Sequence, residues 1–460
     1  MKKDENEVME KIVSLAKRRG FIFQGSEIYG GLAGTWDYGP YGVELKRNIR
    51  ESWWKNYVHN RDDIYGLDAA IFMNPQVWEA SGHVDGFNDP LVEDQETQKR
   101  YRADHLLEEN GIENVDDMSI EEMDAKIKEL GLKSPEGNEL GDVRQFNMML
   151  ATEFGVSKET AIKSYLRPET AQGIFVNYKT VFDSLHPKLP FGIAQVGKAF
   201  RNEITPRDFI FRVRELEQME IQHFIEEKDQ EKYYEQWKKD AWNWLVSIGL
   251  SEENMKWHDH AEGERAHYAA AAVDIYYKFP MGFKELHGIH NRTNFDLSAH
   301  MEKSGVDLRY FDQDSGERFI PFVIESSVGL DRSILAVLTE AYTEDEMDGE
   351  TRVFMKFKPS IAPIKVAVFP LLKNKPELVE KAQEVYKKIK EVIPNAMFDS
   401  NGNIGKRYRR QDEIGTPLCV TIDFETIEEG AGVTVRDRDS GEQVRVKESE
   451  LLEFLQAKLT

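Results

Sequence analysis

Residues 197–220 of the chain read GKAFRNEITPRDFIFRVRELEQME. Apolar and polar residues alternate through this stretch, which predicts strands over 191–203 and 209–213 with the turn TPRD between them. A third strand is predicted over 219–225. The first two strands are expected to pair antiparallel, because a short turn joins them. The middle of the chain is therefore predicted to be rich in β-structure.

The predicted strands carry charged residues on both sides of the turn. The period of two puts Arg201 and Glu203 on one face, and Arg212 and Arg214 share a face in the same way. Arg207 lies in the turn itself. Guanidinium groups bind phosphate oxygens in pairs, so this cluster suits a polyphosphate. A sheet face laced with structural ion pairs is the alternative explanation.

A second informative stretch is ESSVGLDR at 325–332. The apolar run 320–324 predicts a strand that leads into it, and a helix follows. The serine pair is expected to cap that helix, while Gly329 lets the backbone approach a ligand closely. A helix start favours anions. Junctions of this kind are also common where they serve structure alone.

The N-terminal part of the chain contains one clear amphipathic helix, predicted over 42–58. Its apolar stripe consists of residues four apart: Leu45, Ile49, Trp53 and Tyr57. Such a stripe needs burial, either against a second subunit or within one subunit. A short strand is predicted at 69–73 and is expected to end at Pro75.

Composition divides the rest of the chain. Residues 105–160 and 225–270 are polar and helix-prone and are predicted to be insertions. The sequence KFKPSIAP marks a boundary near 355–363. The α/β alternation beyond it predicts a separate small domain over 361–460.

The charge balance limits the possible partners. The chain has 60 basic and 83 acidic residues, for a net charge of −23, so nucleic acid can bind only where basic residues converge locally. One such window, 400–411, is free of acids and holds Lys406, Arg407, Arg409 and Arg410 around Tyr408. It is either a phosphate-contacting patch with a stacking ring or a solvated helix face.

Other features concern location and metals. The single cysteine, Cys419, excludes an internal disulfide framework and a thiolate cluster, which makes the cytoplasm the simplest location. No apolar run approaches the ~18 residues that cross a bilayer, so no membrane partner is expected. The close histidine pairs, His258 with His260 and His287 with His290, have no cysteine partners, and zinc is not expected.

These phrases carry a family resemblance. FRNE, RVRE and GLDR resemble motifs 2 and 3 of class II aminoacyl-tRNA synthetases. GSEIYGGLAGTWDYGPYGVELK, DAAIFMNPQVWEASGH, RYRADHL and LRPETAQGIFVNY, in this order, resemble the bacterial homodimeric (alpha2-type) glycyl-tRNA synthetases. The resemblance implies an α+β fold. Its catalytic domain, 1–355, would be an antiparallel sheet flanked by helices with a helical insertion, and 361–460 would be an α/β anticodon-binding domain. It also implies that the helix over 42–58 and the strand ending at Pro75 form motif 1, the dimer interface.

The resemblance also assigns site residues. The positions matched to the ATP site are Arg201, Asn202, Glu203, Phe211, Arg212, Val213, Arg214, Glu215, Leu216, Glu285, Leu286, Gly329, Leu330, Asp331 and Arg332. The positions matched to the glycine site are Arg102, Glu169, Leu216, Glu217, Gln218, Met219, Glu220, Arg292, Glu325, Ser326, Ser327, Val328 and Gly329. The positions matched to tRNA binding are Lys406, Arg407, Arg409 and Arg410.

Roles follow for a few of these. Arg201, Arg212 and Arg332 would carry the catalysis by holding phosphates, and Glu285 would help to hold Mg²⁺. Three carboxylates around the substrate ammonium would repel one another unless that cation lay among them. The family has phenylalanine where this chain has Leu216, so the ring that stacks on adenine is absent from that position, and Phe211 is a candidate replacement.

The implied reaction is ATP-dependent activation of glycine to glycyl-adenylate, followed by transfer to the 3′ end of tRNA(Gly). The implied assembly is a homodimer. A catalytically inactive synthetase-like subunit that binds nucleic acid is one alternative, but such a protein would be free to lose Arg201, Glu203 or Arg332. Another class II synthetase is the second alternative, and a threonyl-type site would need a zinc ligand set.

Overall fold

The computed structural model describes residues 2–112, 115, 118–157, 160–260, 269–347, 349–427 and 431–459. The helices are α1 (Lys2–Arg19), α2 (Pro40–Trp54), α3 (Pro75–Ala80), α4 (His83–Gly86), α5 (Ala103–Glu109), α6 (Ile120–Leu130), α7 (Ala171–Leu185), α8 (Gln230–Ser247), α9 (Phe295–Ser304), α10 (Leu330–Ala341), α11 (Pro376–Val392), α12 (Ile404–Ile414), α13 (Phe424–Ile427) and α14 (Leu451–Leu459). In the described part of the chain, none of these helices is long and apolar enough to cross a membrane.

The strands are β1 (Ile22–Gln24), β2 (Trp36–Tyr38), β3 (Ile64–Leu67), β4 (Asn88–Glu93), β5 (Arg100–Arg102), β6 (Arg144–Asn147), β7 (Ala151–Phe154), β8 (Ile162–Tyr165), β9 (Phe191–Phe200), β10 (Glu215–Ile225), β11 (Met255–Asp259), β12 (Ala271–Phe279), β13 (Gly282–Thr293), β14 (Tyr310–Phe311), β15 (Arg318–Phe319), β16 (Phe322–Gly329), β17 (Tyr342–Met347), β18 (Glu350–Met355), β19 (Val366–Pro370), β20 (Ala396–Phe398), β21 (Leu418–Ile422), β22 (Val433–Asp437) and β23 (Gln443–Val446).

A seven-stranded sheet in the order β11-β12-β13-β16-β10-β9-β3 forms the centre of the molecule. Its neighbours are antiparallel except for β3 and β9, which are parallel. Helices α2, α8 and α10 pack against it over the largest apolar core. This arrangement confirms the predicted antiparallel sheet flanked by helices.

The strand predicted over 209–213 is wrong. Asp208 and Phe209 have φ angles of 60° and 58°, and the segment folds as turns with a single bridge between Arg207 and Arg212. Its apolar residues are buried in the main core and do not alternate between two faces. The four charged residues of the predicted strands therefore lie in one long loop, 201–214, between β9 and β10.

The strand predicted at 69–73 is also misplaced. The strand beside β9 is β3, and Pro75 begins helix α3. Proline is favoured at the first helical position because its missing N–H would have no helical partner there. The Asn74 side chain caps this helix by accepting from the Gln76 N–H at 3.0 Å.

The amphipathic helix is confirmed as α2, which continues into a π-helical turn at Lys55–His59. Its four stripe residues, Leu45, Ile49, Trp53 and Tyr57, are 0–1% exposed in the single chain. They pack into the main core with α8 and α10. The stripe is therefore buried within one subunit, as the second of the two interpretations held, and it needs no partner.

The two predicted insertions are not wholly helical. Residues 105–160 contain α5 and α6 together with β6 and β7, and a three-stranded sheet, β5-β4-β6, covers a small separate core. Residues 225–270 contain α8 and also β11, which extends the central sheet to its edge. Parts of both insertions, 113–114, 116–117, 158–159 and 261–268, lie outside the described residues.

The C-terminal part has the predicted α/β character. Five strands in the order β20-β19-β21-β22-β23 form its sheet. Val366 and Val368 face the core that contains α11 and α14, whereas Ala367 and Phe369 face α12. Helices α11 and α12 therefore lie on opposite faces of this sheet.

Candidate active site

A cavity of about 430 Å³ opens on one face of the central sheet. Loop 201–214, the junction of α4 and β4 at residues 86–89, and strands β10, β13 and β16 contribute to its walls. The predicted site residues that line it are Arg102, Glu169, Arg201, Glu203, Phe211, Arg212, Val213, Leu216, Gln218, Glu220, Glu285, Glu325, Ser327, Gly329, Asp331 and Arg332. Residues predicted for two different ligands thus share one cavity.

Strand alternation decides which residues of β10 reach the cavity. Leu216, Gln218 and Glu220 line it. Glu217 pairs with Lys46 at 2.8 Å behind the sheet, and Met219 is fully buried in the main core. A strand sends successive side chains to opposite faces, so a continuous run of site residues on β10 is excluded.

The same rule sorts β16. Glu325, Ser327 and Gly329 line the cavity. Ser326 bonds the His287 ring at 2.8 Å on the other side, and Val328 belongs to the main core. Glu220 lies opposite Ser327 across the β10–β16 pair, which brings the two strands' cavity residues together.

Several predicted site residues do not line this cavity: Asn202, Arg214, Glu215, Glu217, Met219, Leu286, Arg292, Ser326, Val328 and Leu330. Arg214 braces loop 201–214 by donating to the carbonyls of Ala33 at 2.8 Å and Glu203 at 3.1 Å. Glu215 pairs with Lys198 at 2.7 Å. These residues support the cavity or the core around it.

The helix after β16 begins without help from the serines. Gly329 is the N-cap of α10 and no side chain caps it, because Ser326 and Ser327 lie within β16. The expected serine cap is therefore wrong. The Ser327 side chain faces the cavity instead.

An aromatic–cation pair covers one end of the cavity. The Arg332 guanidinium lies 4.2 Å from the centre of the Phe211 ring. Its Nη1 is 3.0 Å from Glu285 Oε2, and the Arg332 charge lowers the pKa of that carboxyl, so Glu285 is ionised. Phe211, and not Leu216, thus supplies the ring beside Arg332. The two side chains are in direct contact and together line this end of the cavity.

Three charged groups of loop 201–214 line the same end. Arg201 donates from Nε to the Pro168 carbonyl at 3.2 Å. Arg212 lies 3.6 Å from Glu203, and burial lowers the pKa of its guanidinium. Glu203 is buried, and within the described residues its Oε2 has no hydrogen-bond partner. A buried acceptor of this kind suits a ligand N–H group.

The other end of the cavity is acidic. Gln222 bridges Glu220 and Glu325 by donating to each at 2.6 Å, and Thr170 donates to Glu220 at 2.5 Å. Burial raises the pKa of Glu220 well above its usual value, and repulsion from Glu325 and Glu169 raises it further. The cluster therefore favours a positively charged ligand group, because a cation would relieve that repulsion.

The other two acids of the cluster have partners within the chain. Burial opposes their ionisation, but His83, 3.3 Å from Glu169, lowers the pKa of that carboxyl to about 2. Glu325 receives hydrogen bonds from Arg292 at 3.0 Å and from His290 at 2.8 Å, and its pKa is lowered. Glu220 is therefore the acid of this cluster that depends most on an incoming cation.

Arg292, which matches the glycine site by resemblance, does not line the cavity. It is buried behind the cavity, where it bonds Glu325 and forms two hydrogen bonds of 2.8 Å to Asp296. Arg102 does line the cavity, but its guanidinium is held by Asp89 at 2.7 Å and by Asp104. Both arginines therefore organise acids around the cavity.

Sequence reasoning missed part of the cavity wall: Gly86, Phe87, Asn88, Asp89, Met148, Ile210, Gly288 and His290. Glu285 and His290 would lie on opposite faces of a regular strand. The β12–β13 register shifts at this point, so that Leu286 is an extra residue on β13. This bulge turns both side chains toward the cavity.

The basic window in the C-terminal part lies on α12, and only half of it is exposed. Lys406 and Arg409 face solvent. Arg407 is 1% exposed and donates to the carbonyls of Pro370 and Gly402, which excludes it from a surface patch. Arg410 is held by Asp399 at 2.6 Å. The Tyr408 ring packs edge-on against Phe369, within the C-terminal fold.

Comparison with known proteins places these features in a family. Residues 154–342 match the model of the tRNA synthetase class II core domain (G, H, P, S and T), and residues 365–458 match that of the anticodon binding domain. The chain is 52% identical to a glycine–tRNA ligase from Geobacillus kaustophilus, over 98% of this chain and 99% of that protein. It is 51% identical to the one from Acetivibrio thermocellus, over 98% of each chain. It is 50% identical to the one from Clostridium acetobutylicum, over 99% and 100% of the two chains.

Proposed function

The chain belongs to the glycine–tRNA ligase family of class II aminoacyl-tRNA synthetases, and from this premise we propose how its cavity performs the ligase reaction. The enzyme activates glycine with ATP and esterifies it to tRNA. The single observation that carries the site assignment is that loop 201–214 and the acidic cluster open into one cavity of about 430 Å³. ATP–pyrophosphate exchange with glycine tests it.

ATP occupies the end of the cavity at loop 201–214. Arg201 and Arg212 hold the phosphates. Both belong to loop 201–214 and both line the cavity, and guanidinium groups bind phosphate oxygens. The Arg332 guanidinium moves off the Phe211 ring so that the adenine ring stacks between them, and Glu203 accepts a hydrogen bond from the adenine amino group. The buried Oε2 of Glu203 accepts no hydrogen bond among the described residues and lies 3.6 Å from Arg212, which supports that last contact.

Glycine occupies the acidic end. Its ammonium group lies among Glu169, Glu220 and Glu325, and its carboxylate points toward Arg201 and the α-phosphate. A carboxylate oxygen attacks the α-phosphorus, the bond to the β-phosphate oxygen breaks, and pyrophosphate leaves with that oxygen. The 3′-hydroxyl of tRNA then attacks the glycyl carbonyl and AMP leaves. Positioning and charge stabilisation drive both steps.

Magnesium is the expected counter-ion of the phosphates. Glu285 is its proposed ligand, since this ionised carboxylate lines the cavity at the ATP end. Mg²⁺ is commonly bound by one or two carboxylates with substrate phosphates, so this single group fits. When bound, the ion would neutralise phosphate charge.

The C-terminal unit is the proposed anticodon-binding domain. We set its boundary at residues 355–361, just before the segment that matches the anticodon binding domain. Lys406 and Arg409 are the two exposed residues of the basic window on α12 and are the proposed phosphate contacts.

We also place the enzyme in the cytoplasm, where its substrates ATP and tRNA occur.

Reversing the exposed charges of this patch tests it. The double variant Lys406→Glu, Arg409→Glu should lower kcat/KM for tRNA charging by about tenfold and spare ATP–pyrophosphate exchange. The defect should be largest at low salt and shrink as salt rises, since the wild-type enzyme has more phosphate contacts and loses affinity more steeply with salt. Lys387→Glu, Lys388→Glu on α11 is the matched control, because it makes the same charge change on the opposite face of the domain. Equal charging by the two double variants would remove the patch from the account.

Two copies of the chain form the working enzyme. The apolar stripe of α2 does not support a dimer, because it is buried within one chain. Two observations support the dimer: the motif 1 resemblance and the position of β3 as the last strand of the central sheet. Beside β3 lies a second cavity of about 680 Å³, and Trp54, Leu67 and Val196 are among the residues that line it. An uncovered sheet edge beside apolar groups favours pairing with another chain.

Light scattering after gel filtration measures the mass of the assembly in solution directly. The expected mass is twice the 53.2 kDa of one chain. Leu67→Glu, at the edge strand, should shift the distribution toward the monomer, and Leu130→Glu, an exposed leucine of α6, should leave it unchanged. A wild-type mass of one chain at micromolar concentration would contradict the dimer.

A further inference from the structure

His290 lies in the wall of the acidic cluster and contacts two carboxylates at once. Its Nδ1 is 2.8 Å from Glu325 Oε1, and its Nε2 is 3.8 Å from Asp274 Oδ1. Asp274 in turn bonds His260 at 2.7 Å through its other oxygen. These side chains form a continuous row on the cavity face of β11–β16, from the sheet edge to Glu325.

The row fixes the state of the His290 ring. Burial favours the neutral ring, but the charge of Asp274 at 3.8 Å and the hydrogen bond and charge of Glu325 outweigh it and raise the pKa of His290 to about 10. Both ring nitrogens therefore carry protons near neutral pH. The orientation of the ring is set from both sides, because each N–H points at a carboxylate.

Glu325 depends on this ring for one of its oxygens. Its side chain is only 5% exposed, and its Oε2 accepts from Arg292 and Gln222, while Oε1 accepts from His290. Removing the ring takes a charged donor from a buried oxygen, which raises the cost of keeping the carboxylate ionised. The carboxylate would then be free to rotate or to take up a proton.

We propose that His290 is a positioning residue for glycine, holding Glu325 in the orientation and charge state that receive the substrate ammonium. The inference rests on the proposed glycine site. Asp274 holds the ring through the ion pair at Nε2, on the side away from Glu325. His260 in turn holds Asp274 through a hydrogen bond. None of these three residues was among the predicted site residues.

The sign of the effect separates positioning from simple charge. If His290 acted only as a nearby positive charge, its removal would strengthen binding of the ammonium group and lower KM for glycine. If it positions Glu325, its removal raises that KM. The two roles therefore predict opposite changes.

The test is exchange kinetics on His290→Ala in the full-length enzyme. We expect KM for glycine to rise about tenfold, with kcat and KM for ATP within a factor of two. His290→Asn should recover most of the loss, since its amide N–H can replace Nδ1–H without the charge. His186→Asn is the matched control, because this exposed histidine follows α7 and does not line the cavity, and it should be silent.

A double-mutant cycle tests the link to Asp274. Asp274→Asn alone should raise KM for glycine by a smaller factor, and it should add nothing once His290 is alanine. Fully additive effects would mean that Asp274 does not act through the ring, and would overturn that part of the inference.

Glu325→Gln distinguishes failure of this inference from failure of the glycine site. If Glu325→Gln raises KM for glycine but His290→Ala leaves it unchanged or lowers it, the positioning role is wrong and the site stands. If neither variant affects KM for glycine, the site itself is wrong and the inference falls with it.

Discussion

Arg201→Ala is expected to lower the rate of adenylate formation by about 10²–10³-fold. Losing one charged contact to the transferring phosphoryl group at the transition state has an effect of this order. The side chain lines the cavity and is only lightly tied to the fold, through one 3.2 Å bond to the Pro168 carbonyl. Folding should therefore survive, and ATP–pyrophosphate exchange at saturating glycine measures the loss.

Arg207→Ala is the matched control for this variant. Arg207 lies in the same loop, but its side chain is 40% exposed and pairs only loosely with Glu109, at 3.8 Å, and with its neighbour Asp208. Exchange by Arg207→Ala should equal that of wild type. Exchange by Arg201→Ala within a factor of ten of wild type would contradict the role given to Arg201.

Glu220→Gln is expected to raise KM for glycine by roughly 10- to 150-fold at alkaline pH, with little change in KM for ATP. The glutamine keeps the shape and loses the charge, and a charged hydrogen bond in a buried site contributes ~1.5–3 kcal/mol. A loss confined to ATP would move Glu220 to the nucleotide end. An unchanged KM for both substrates would place glycine elsewhere.

The raised pKa of Glu220 gives this variant a pH signature. In the free enzyme the carboxyl is protonated below its raised pKa, whereas the ammonium group favours the ionised form, so glycine binding releases a proton. KM for glycine should therefore fall as pH rises toward that pKa, by up to about tenfold per unit for a single linked proton. Glu220→Gln should lose this slope and approach wild type at low pH. A slope that persists in the variant would assign the proton to another group.

The central sheet and the chemistry of the cavity were predictable from local patterns. The sequence around Arg201 predicts β9 and a strand over 219–225 that lies within β10, but it places Arg212 on a strand, whereas the structure places it in loop 201–214. The position of Glu220 relative to Glu217 also follows from strand alternation alone. A family phrase names both residues, but only the period of two separates the one that lines the cavity from the one behind it.

Other features depend on distant parts of the chain. Phe209 and Phe211 are spaced as residues of a strand would be. Both side chains nevertheless pack in the main core, and this packing overrides the local preference for a strand. His290 reaches the cavity because of a bulge at Leu286, and a single sequence carries no plain signal for the extra residue. The sequence predicts that Arg407 is exposed to solvent. In the structure it is buried and donates to the Pro370 carbonyl, which is distant in sequence.

Discrimination by size is the remaining property of the glycine site. An additional methyl group in a close-packed pocket destabilises binding by about 1–3 kcal/mol, which corresponds to roughly 10- to 200-fold in kcat/KM. Alanine should therefore support exchange weakly if at all, and larger amino acids should not support it.

ATP–pyrophosphate exchange with each of the twenty amino acids in turn tests the central claim most directly, that this cavity activates glycine. The account predicts exchange with glycine, at least tenfold weaker exchange with alanine, and loss of the glycine signal in Arg201→Ala. Exchange that prefers another amino acid, or glycine exchange that survives in Arg201→Ala, would contradict it.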